Sequence, residues 1–442
     1  MTKQELKNLV IKAIDENKEE ILIAGREIYQ NPELGFKEFK TTETIATFLE
    51  KLGIETEKNI AVTGCKGTIK GKEKGLNIAI LGELDSVSCT DHCDSLDNGA
   101  VHACGHNIQI AGMLGAALGL TKSGVMKELV GEVTILGTPA EEFIELEYRA
   151  SLKAKNKLKY YGGKQELIYK GYFDDVDMAM MFHSLDMGTS KALVGPVSNG
   201  FIGKQIKFIG KESHAGSAPH EGINALNAAM LSINNIHAQR ETFKDTDRVR
   251  VHPIITKGGD IVNSVPADVR MESYVRARTI EGMLDSNKKV DRAIKAGAMA
   301  VGADVEIVSI PGYLPILRTL KLDEVFAENL RDLGLENDEI VQGGDFTGSF
   351  DFGDVSHLMP TLHPMIGGIT GNLHTREYKI VDEELAYLIP AKAMALSVID
   401  LLFDNGKIGN EILEKFEPKM SKKEYLEFME QRDKMELFKG NI

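Results

Sequence analysis

The run Leu76-Asn77-Ile78-Ala79-Ile80-Leu81-Gly82-Glu83-Leu84-Asp85 decides the fold class. Its apolar part is too short for a core helix and ends at a glycine, so it reads as a strand buried on both faces. Residues 132–137 (EVTILG) and 177–182 (DMAMMF) repeat the pattern. Between the first two lies 107–122, a small-residue helix suited to close packing on a sheet. Strands alternating with helices predict an α/β domain whose sheet is mostly parallel and flanked by helices. Such sheets bind ligands beyond their C-terminal strand ends. Here each apolar run finishes on a polar group: Asp85 after the first, Glu141-Glu142 after the second, His183 after the third.

Working outward, apolar residues at helical spacing (Leu6, Val10, Ala13, Ile14, Ile21, Ile23, Ile28) predict helix over 4–30, broken at Pro32. Thr41 or Thr42 is expected to cap a second helix reaching Leu52. From Gly203 to Ile310 the predicted order is strand (204–210), helix (221–240), strand (251–256), strand (268–278), helix (280–299), strand (304–310). That βαββαβ order is the ferredoxin-like motif, complete enough to form a domain. After Pro315 the alternation resumes, with a strand near 361–366 and a long helix over 382–403. The expected organisation is an α/β catalytic domain built from 1–197 and 313–442, interrupted by an inserted domain over 198–312. The Lys-rich stretch 153–170 and the charged tail after Asn405 read as solvated surface.

A chain of 442 residues exceeds the size at which one core keeps growing, which agrees with two domains. With 43% hydrophobic and 27% charged residues it is far from the disordered class. A net charge of −14 argues against a nucleic-acid surface or an anionic membrane as partner. The first twenty residues are charged throughout and lack the apolar core of a signal peptide. The apolar run 108–120 is too short and Gly-rich to span a bilayer. Four cysteines in so long a chain make no disulfide framework, so a reducing cytoplasm is the expected compartment.

Cys104 and His106 sit two apart, so in an extended loop both can face one ion. Thiolate and imidazole suit zinc, and imidazole with carboxylate also accepts manganese or cobalt. The plainer reading is a buried cysteine beside a capping histidine. Glu141 and Glu142 must repel unless a cation or proton separates them. Their side chains diverge, so one can bind metal while the other hydrogen-bonds water; the alternative is a solvated acidic turn. His183 alone would be more often a satisfied residue than a ligand, and His374, in GNLHTREY, could complete a set. His214 and His220 precede a helix and could donate to a substrate oxygen or cap that helix. Asn263 and Arg276 flank a strand pair; Arg276 could bind a carboxylate or pair with a surface acid. Cys89, His92 and Cys93 (CTDHC) read as no metal loop, since CxxxC without a second pair is a weak signal.

Six segments together resemble the metal-dependent amidase/aminoacylase/carboxypeptidase family, nearest its p-aminobenzoyl-glutamate hydrolase and β-alanyl-dipeptidase branch. They are residues 26–55 (REIYQNPELGFKEFKTTETIATFLEKLGIE), 102–107 (HACGHN), 137–142 (GTPAEE), 213–229 (SHAGSAPHEGINALNAA), 258–277 (GGDIVNSVPADVRMESYVRA) and 371–378 (GNLHTREY). The resemblance implies a two-metal site, zinc or manganese, with Cys104, His106, Glu142, His183 and His374 as ligands and Glu141 as general base. It also implies that His214 reaches the neighbouring subunit's site to steady an oxyanion, while Asn263 and Arg276 hold substrate. The inserted domain would then be a dimerisation domain and the protein a homodimer. Glu83-Leu84-Asp85 replaces the family's wider Asp-Met-Asp, with Asp85 expected to support the ligands from behind. The implied reaction is hydrolysis of an amide in a small N-acyl amino acid or dipeptide-like substrate. Two rivals stand beside it: a thiol hydrolase with Cys104 activated by His106 or His102, and a binding protein that keeps the fold without catalysis.

Overall fold

The computed structural model describes residues 1–440, which form two compact units. One comprises 1–197, 317–345 and 355–419; the other comprises 198–316, 346–354 and, among the described residues, 420–440.

The larger unit is built on a six-stranded sheet in the order Thr56–Ile60, Gly64–Lys70, Val130–Thr138, Glu73–Glu83, Met178–Met180, Thr361–Leu362. The last four strands are mutually parallel. The first two form an antiparallel hairpin added at one edge. Leu81 pairs with Leu136 and Glu83 with Thr138, so both central strands end at one level and their following loops emerge together. The helix His106–Lys122 is buried along almost its whole length. Its small residues explain how: a Cβ on Gly112 would lie 2.5 Å from the Phe182 ring, and one on Gly115 would lie 2.8 Å from Ala391 Cβ. Close approach on two faces lets one helix pack between the sheet and a second layer of helices.

That second layer includes Ile389–Lys415, preceded by the π turn Glu384–Leu388. The whole stretch is long and apolar enough to cross a membrane, but 89% of its most apolar window is buried inside the protein. It breaks at Phe403–Gly406, where the expected helix ends. The N-terminal helical region is two helices, Lys3–Glu16 and Lys18–Gln30. Thr41 and Thr42 do not start the next helix, which runs Phe39–Lys51 and contains both. The Glu33 carboxylate instead accepts from the amides of Lys40 (3.1 Å) and Thr41 (2.9 Å), taking the place of a side-chain cap.

The smaller unit has an antiparallel five-stranded sheet ordered Arg250–Lys257, Asp268–Ala277, Gly200–Ile209, Asp304–Pro311, Lys434–Phe438. Helices Ala225–Ala238 and Ile280–Met299 complete the βαββαβ order and share its core with Val269, Met271 and Ile307. The tail departs from the solvated reading. Its residues alternate in the strand Lys434–Phe438, which pairs with Asp304–Pro311, and Tyr425 on the preceding helix is fully buried. The fold is therefore α/β, with a ferredoxin-like domain inserted in it.

Candidate active site

All five expected ligands and the expected base lie in the larger unit: Cys104 precedes and His106 opens the buried helix, Glu141 and Glu142 follow strand Val130–Thr138, His183 lies in the short strand His183–Ser184, and His374 follows Ile369–Thr370. Gly105 adopts φ +84° between Cys104 and His106 and starts the buried helix. Only a residue without Cβ fits there, because a side chain would meet the Ser184 hydroxyl and lie 2.8 Å from the Tyr378 hydroxyl. The turn swings Cys104 Sγ to 3.3 Å from His183 Nε2 and 3.2 Å from His374 Nε2. His374, itself at φ +62°, places Nε2 2.9 Å from Glu142 Oε1.

Two groups of donors share the sulfur. Cys104, His106 and His183 converge within 4.8 Å, and so do Cys104, Glu142 and His374. Glu141 joins Glu83 and His106 in a third group on the same scale. The far sides of the rings are already held. His183 Nδ1 lies 2.7 Å from the Ser184 carbonyl, while His106 Nδ1 lies 2.8 Å from the Asp85 carbonyl and 3.2 Å from its carboxylate. The Asp85 carboxylate also accepts the Glu142 N–H at 2.9 Å. Histidines anchored through Nδ1 turn Nε2 toward the shared space, as metal-binding histidines do.

Charge and burial point to a cation. His106 Nε2 and Glu142 Oε1 are buried, and their near neighbours are other candidate ligand atoms: Glu83 at 3.1 Å and His374 Nε2 at 2.9 Å. Burial, then Glu142 and Glu141, push the Cys104 thiol well above its ordinary value. A nucleophilic thiol needs the opposite shift, so this crowd of carboxylates disfavours the thiol-hydrolase alternative. For Glu142, burial alone would raise the carboxyl, but His374 and then His106 bring it down to about 2. For His106, burial would lower the imidazole, but Glu83 and Asp85 raise it to about 9. A soft sulfur, three imidazole nitrogens and carboxylate oxygen around one small space form a donor set that fits two divalent ions.

Several residues here were invisible to sequence reading. Lys164 was taken with its Lys-rich neighbours as solvated, yet it is fully buried and donates to Glu83 Oε1 at 2.6 Å. Gln109 Nε2 donates to the other oxygen of Glu83 at 2.8 Å. Burial would raise Glu83, but Lys164, followed by His106 and His183, lowers it to about 2. The chain thus keeps a charged carboxylate 3.1 Å from His106 Nε2. Arg149 is likewise buried, against the loop after Glu142.

The remaining expected residues lie in the smaller unit. His214 forms an isolated bridge with Ser264, and Asn263 O accepts the Ala215 N–H at 2.9 Å, so these two loops are joined. His220 sits in a one-turn 3-10 helix before Ala225–Ala238, and the cap of that helix is Asn224. Arg276 donates to Ser349 Oγ at 3.1 Å and lies over Phe201 and Tyr274. In the CTDHC loop, His92 spends one nitrogen on the Tyr378 carbonyl (3.0 Å) and the other on the Asp94 N–H (3.1 Å). The same ring nevertheless lies with Cys93 and Asp94 in a group whose ligand atoms come within 4.8 Å of one another, Cys93 and Asp94 being exposed.

Residues 198–300 match a family described as the peptidase dimerisation domain. The chain is 30% identical to the Xaa-Arg dipeptidase of Mus musculus, over 90% of this chain and 89% of the relative. It is 26% identical to an N-acyl-L-amino acid amidohydrolase of Geobacillus stearothermophilus, over 72% of this chain and 82% of the relative. Among solved structures, a Bacillus subtilis protein described as a dinuclear metal binding peptidase from the M20 family superposes with a TM-score of 0.65. That match has 23% identity and covers 87% of this chain and 98% of the other.

Proposed function

We propose, since the chain belongs to the M20 family of metal-dependent peptidases and amidohydrolases, that it hydrolyses the amide bond of a small N-acyl amino acid or dipeptide-like substrate at a two-metal centre. The observation that carries this reading is the pair of donor groups with Cys104 in common. Cys104, His106 and His183 would hold one ion, and Cys104, Glu142 and His374 the other, as zinc or manganese. When bound, such ions polarise a scissile carbonyl and lower the pKa of an attacking water.

The chain's own groups supply the proton handling. Glu141 is adjacent in sequence to the ligand Glu142, and its carboxylate would take the proton of the attacking water. It then delivers that proton to the leaving nitrogen, a general base becoming a general acid. His214 Nδ1 accepts the N–H groups of Gly216 and Ser217, both at 3.1 Å. The neutral ring therefore carries its proton on Nε2, which makes it a donor. Supplied to the neighbouring subunit, that donor would steady charge that develops only in the tetrahedral state. Asn263 and Arg276 would hold the polar end of the substrate, and the Arg276 fork suits a free carboxylate.

A homodimer through the smaller unit accords with its exposed edge. Strand Arg250–Lys257 has a neighbour on one side only and leaves Ile254 and Ile255 exposed, while Met230 and Leu231 are exposed on helix Ala225–Ala238. A cytoplasmic location suits four free cysteines.

The deciding experiment couples metal analysis of the native protein to a hydrolysis screen. The panel contains p-aminobenzoyl-glutamate, β-alanyl dipeptides, dipeptides with Lys, Orn or Arg, and N-acetyl amino acids. Two metal equivalents per subunit and turnover of at least one class are expected. Glu141→Gln should retain both metals while kcat falls about 10²–10⁴-fold; normal turnover in that variant would refute the base assignment.

A further inference from the structure

The loop Glu33–Glu38 lies in the segment that resembles the family's N-terminal signature, yet it contributes none of the candidate ligands or the candidate base. Its residues converge on the turn Pro139–Glu142, which presents Glu141 and Glu142. Glu38, fully buried, accepts the Ala140 N–H at 2.7 Å through one oxygen and the Thr63 hydroxyl at 2.5 Å through the other. Gly35 leaves room for the turn: a Cβ there would lie 2.6 Å from Arg149 Nη2 and 3.0 Å from Ala140 Cβ. Phe36 places its ring under the Arg149 guanidinium, 5.3 Å from centroid to Cζ. At the loop's other end, the Glu33 carbonyl accepts the Ser86 N–H at 2.8 Å, next to Asp85.

The turn needs such support. Ala140 sits at φ +51°, a left-handed conformation that alanine avoids. Its neighbours are clamped from both sides. Arg149, buried, donates to the main-chain carbonyls of Ala140, Glu142 and Tyr161, and Asp85 accepts the Glu142 N–H. The charged fork is spent on backbone oxygens, two of them in the turn, which fixes peptide planes rather than side chains. Two successive carboxylates diverge toward different targets only if those planes stay fixed.

We infer that Glu38 and Arg149 are positioning residues for amide hydrolysis: they hold the strained Ala140 turn so that Glu142 faces the metals and Glu141 faces the attacking water. The inference rests on the reading of Glu141 and Glu142 given above. Glu38 and Arg149 are both buried and bond to the main chain of the turn, so each acts through the geometry of the pair.

The test uses the full-length, zinc-loaded enzyme and the substrate turned over fastest in the screen. Glu38→Ala leaves the Ala140 N–H buried without its acceptor, whereas Glu38→Gln keeps an oxygen in the same place. Glu38→Ala should lower kcat and zinc affinity about 10–100-fold, the range for groups that support metal ligands. KM should stay within about two-fold, since no substrate contact is lost. Zinc affinity is read by competition with a chelator. Deuterium exchange of a peptide covering 138–143 should speed up, a readout independent of activity. Glu38→Gln should recover all three. If Glu38→Ala does not fold, Arg149→Lys replaces it, because it keeps the charge and loses the fork; the same three changes are expected. Wild-type kcat, affinity and exchange in Glu38→Ala or Arg149→Lys would overturn the inference. So would a Glu38→Gln variant as impaired as the alanine, since the oxygen would then be irrelevant. Failure of the underlying reading looks different: Glu141→Gln would keep its turnover whatever the Glu38 variants do.

Discussion

Asp354 shows what a single buried carboxyl does to this protein's response to pH. It accepts the Tyr425 hydroxyl at 2.8 Å and the Leu314 N–H at 3.3 Å. Burial pushes its pKa up to about 8; the Asp351 charge adds to the rise and the Tyr425 bond only partly opposes it. The folded protein thus keeps a proton that the unfolded chain gives up near the ordinary value of 3.8. The stabilisation is complete below that value and is lost as pH climbs through about 8. Asp354→Asn cannot titrate, so its melting temperature should gain steadily on the wild type between pH 5 and 9. A difference that stays flat over that range would contradict the account. Residues of this kind were beyond the reach of sequence reading. Cys104-Gly105-His106 stood out because its chemistry is contiguous, and Glu141-Glu142 because the pair follows an apolar strand. Lys164 was not, since a lysine among lysines reads as solvated, and its partner Glu83 stands 81 residues away. Only the folded chain shows that one of those ammonium groups neutralises a buried acid.

At the scale of elements, periodicity found what had a strong period and missed what did not. The inserted domain was legible strand by strand because its runs are long and separated by helices with clear apolar faces. The hairpin Thr56–Ile60 and Gly64–Lys70 was missed, since its edge strand TEKNI and the next strand GCKGTIK carry charge and glycine where a central strand carries valine or isoleucine. The strand Lys434–Phe438 was missed for a similar reason: its burial pattern is largely exposed, and the helix Lys422–Glu430 before it is highly charged. Both pieces nonetheless do structural work. Tyr425 is fully buried, Lys295 reaches Glu436 at 2.5 Å, and the backbone over Val305–Ser309 pairs with the late strand. Removing residues 420–442 should leave Asp304–Pro311 as a bare edge. Light scattering should then show concentration-dependent association beyond the wild-type state, with a lower melting temperature. A truncated protein that melts and sediments like the parent would show that the strand is ornamental.

At the scale of the whole molecule, the prediction concerns shared sites. If His214 serves the neighbouring subunit, Glu141 and His214 of one catalytic centre belong to different chains. Glu141→Gln and His214→Ala proteins should each be nearly inactive alone. After mixing and subunit exchange, half of the dimers are mixed and each carries one intact centre, so about a quarter of wild-type activity should return, as two-fold symmetry requires. No recovery despite demonstrated exchange would place His214 at its own subunit's site or outside catalysis.

The strand Lys434–Phe438 also has a consequence for how the protein is made. Four strands of its sheet are translated by Pro311, but the fifth is synthesised only after the whole stretch 317–419 has emerged. During elongation the nascent sheet therefore leaves Asp304–Pro311 unpaired on one side while the larger unit is still being completed. Ribosome-bound chains stalled before residue 434 should be where chaperones engage this protein most strongly.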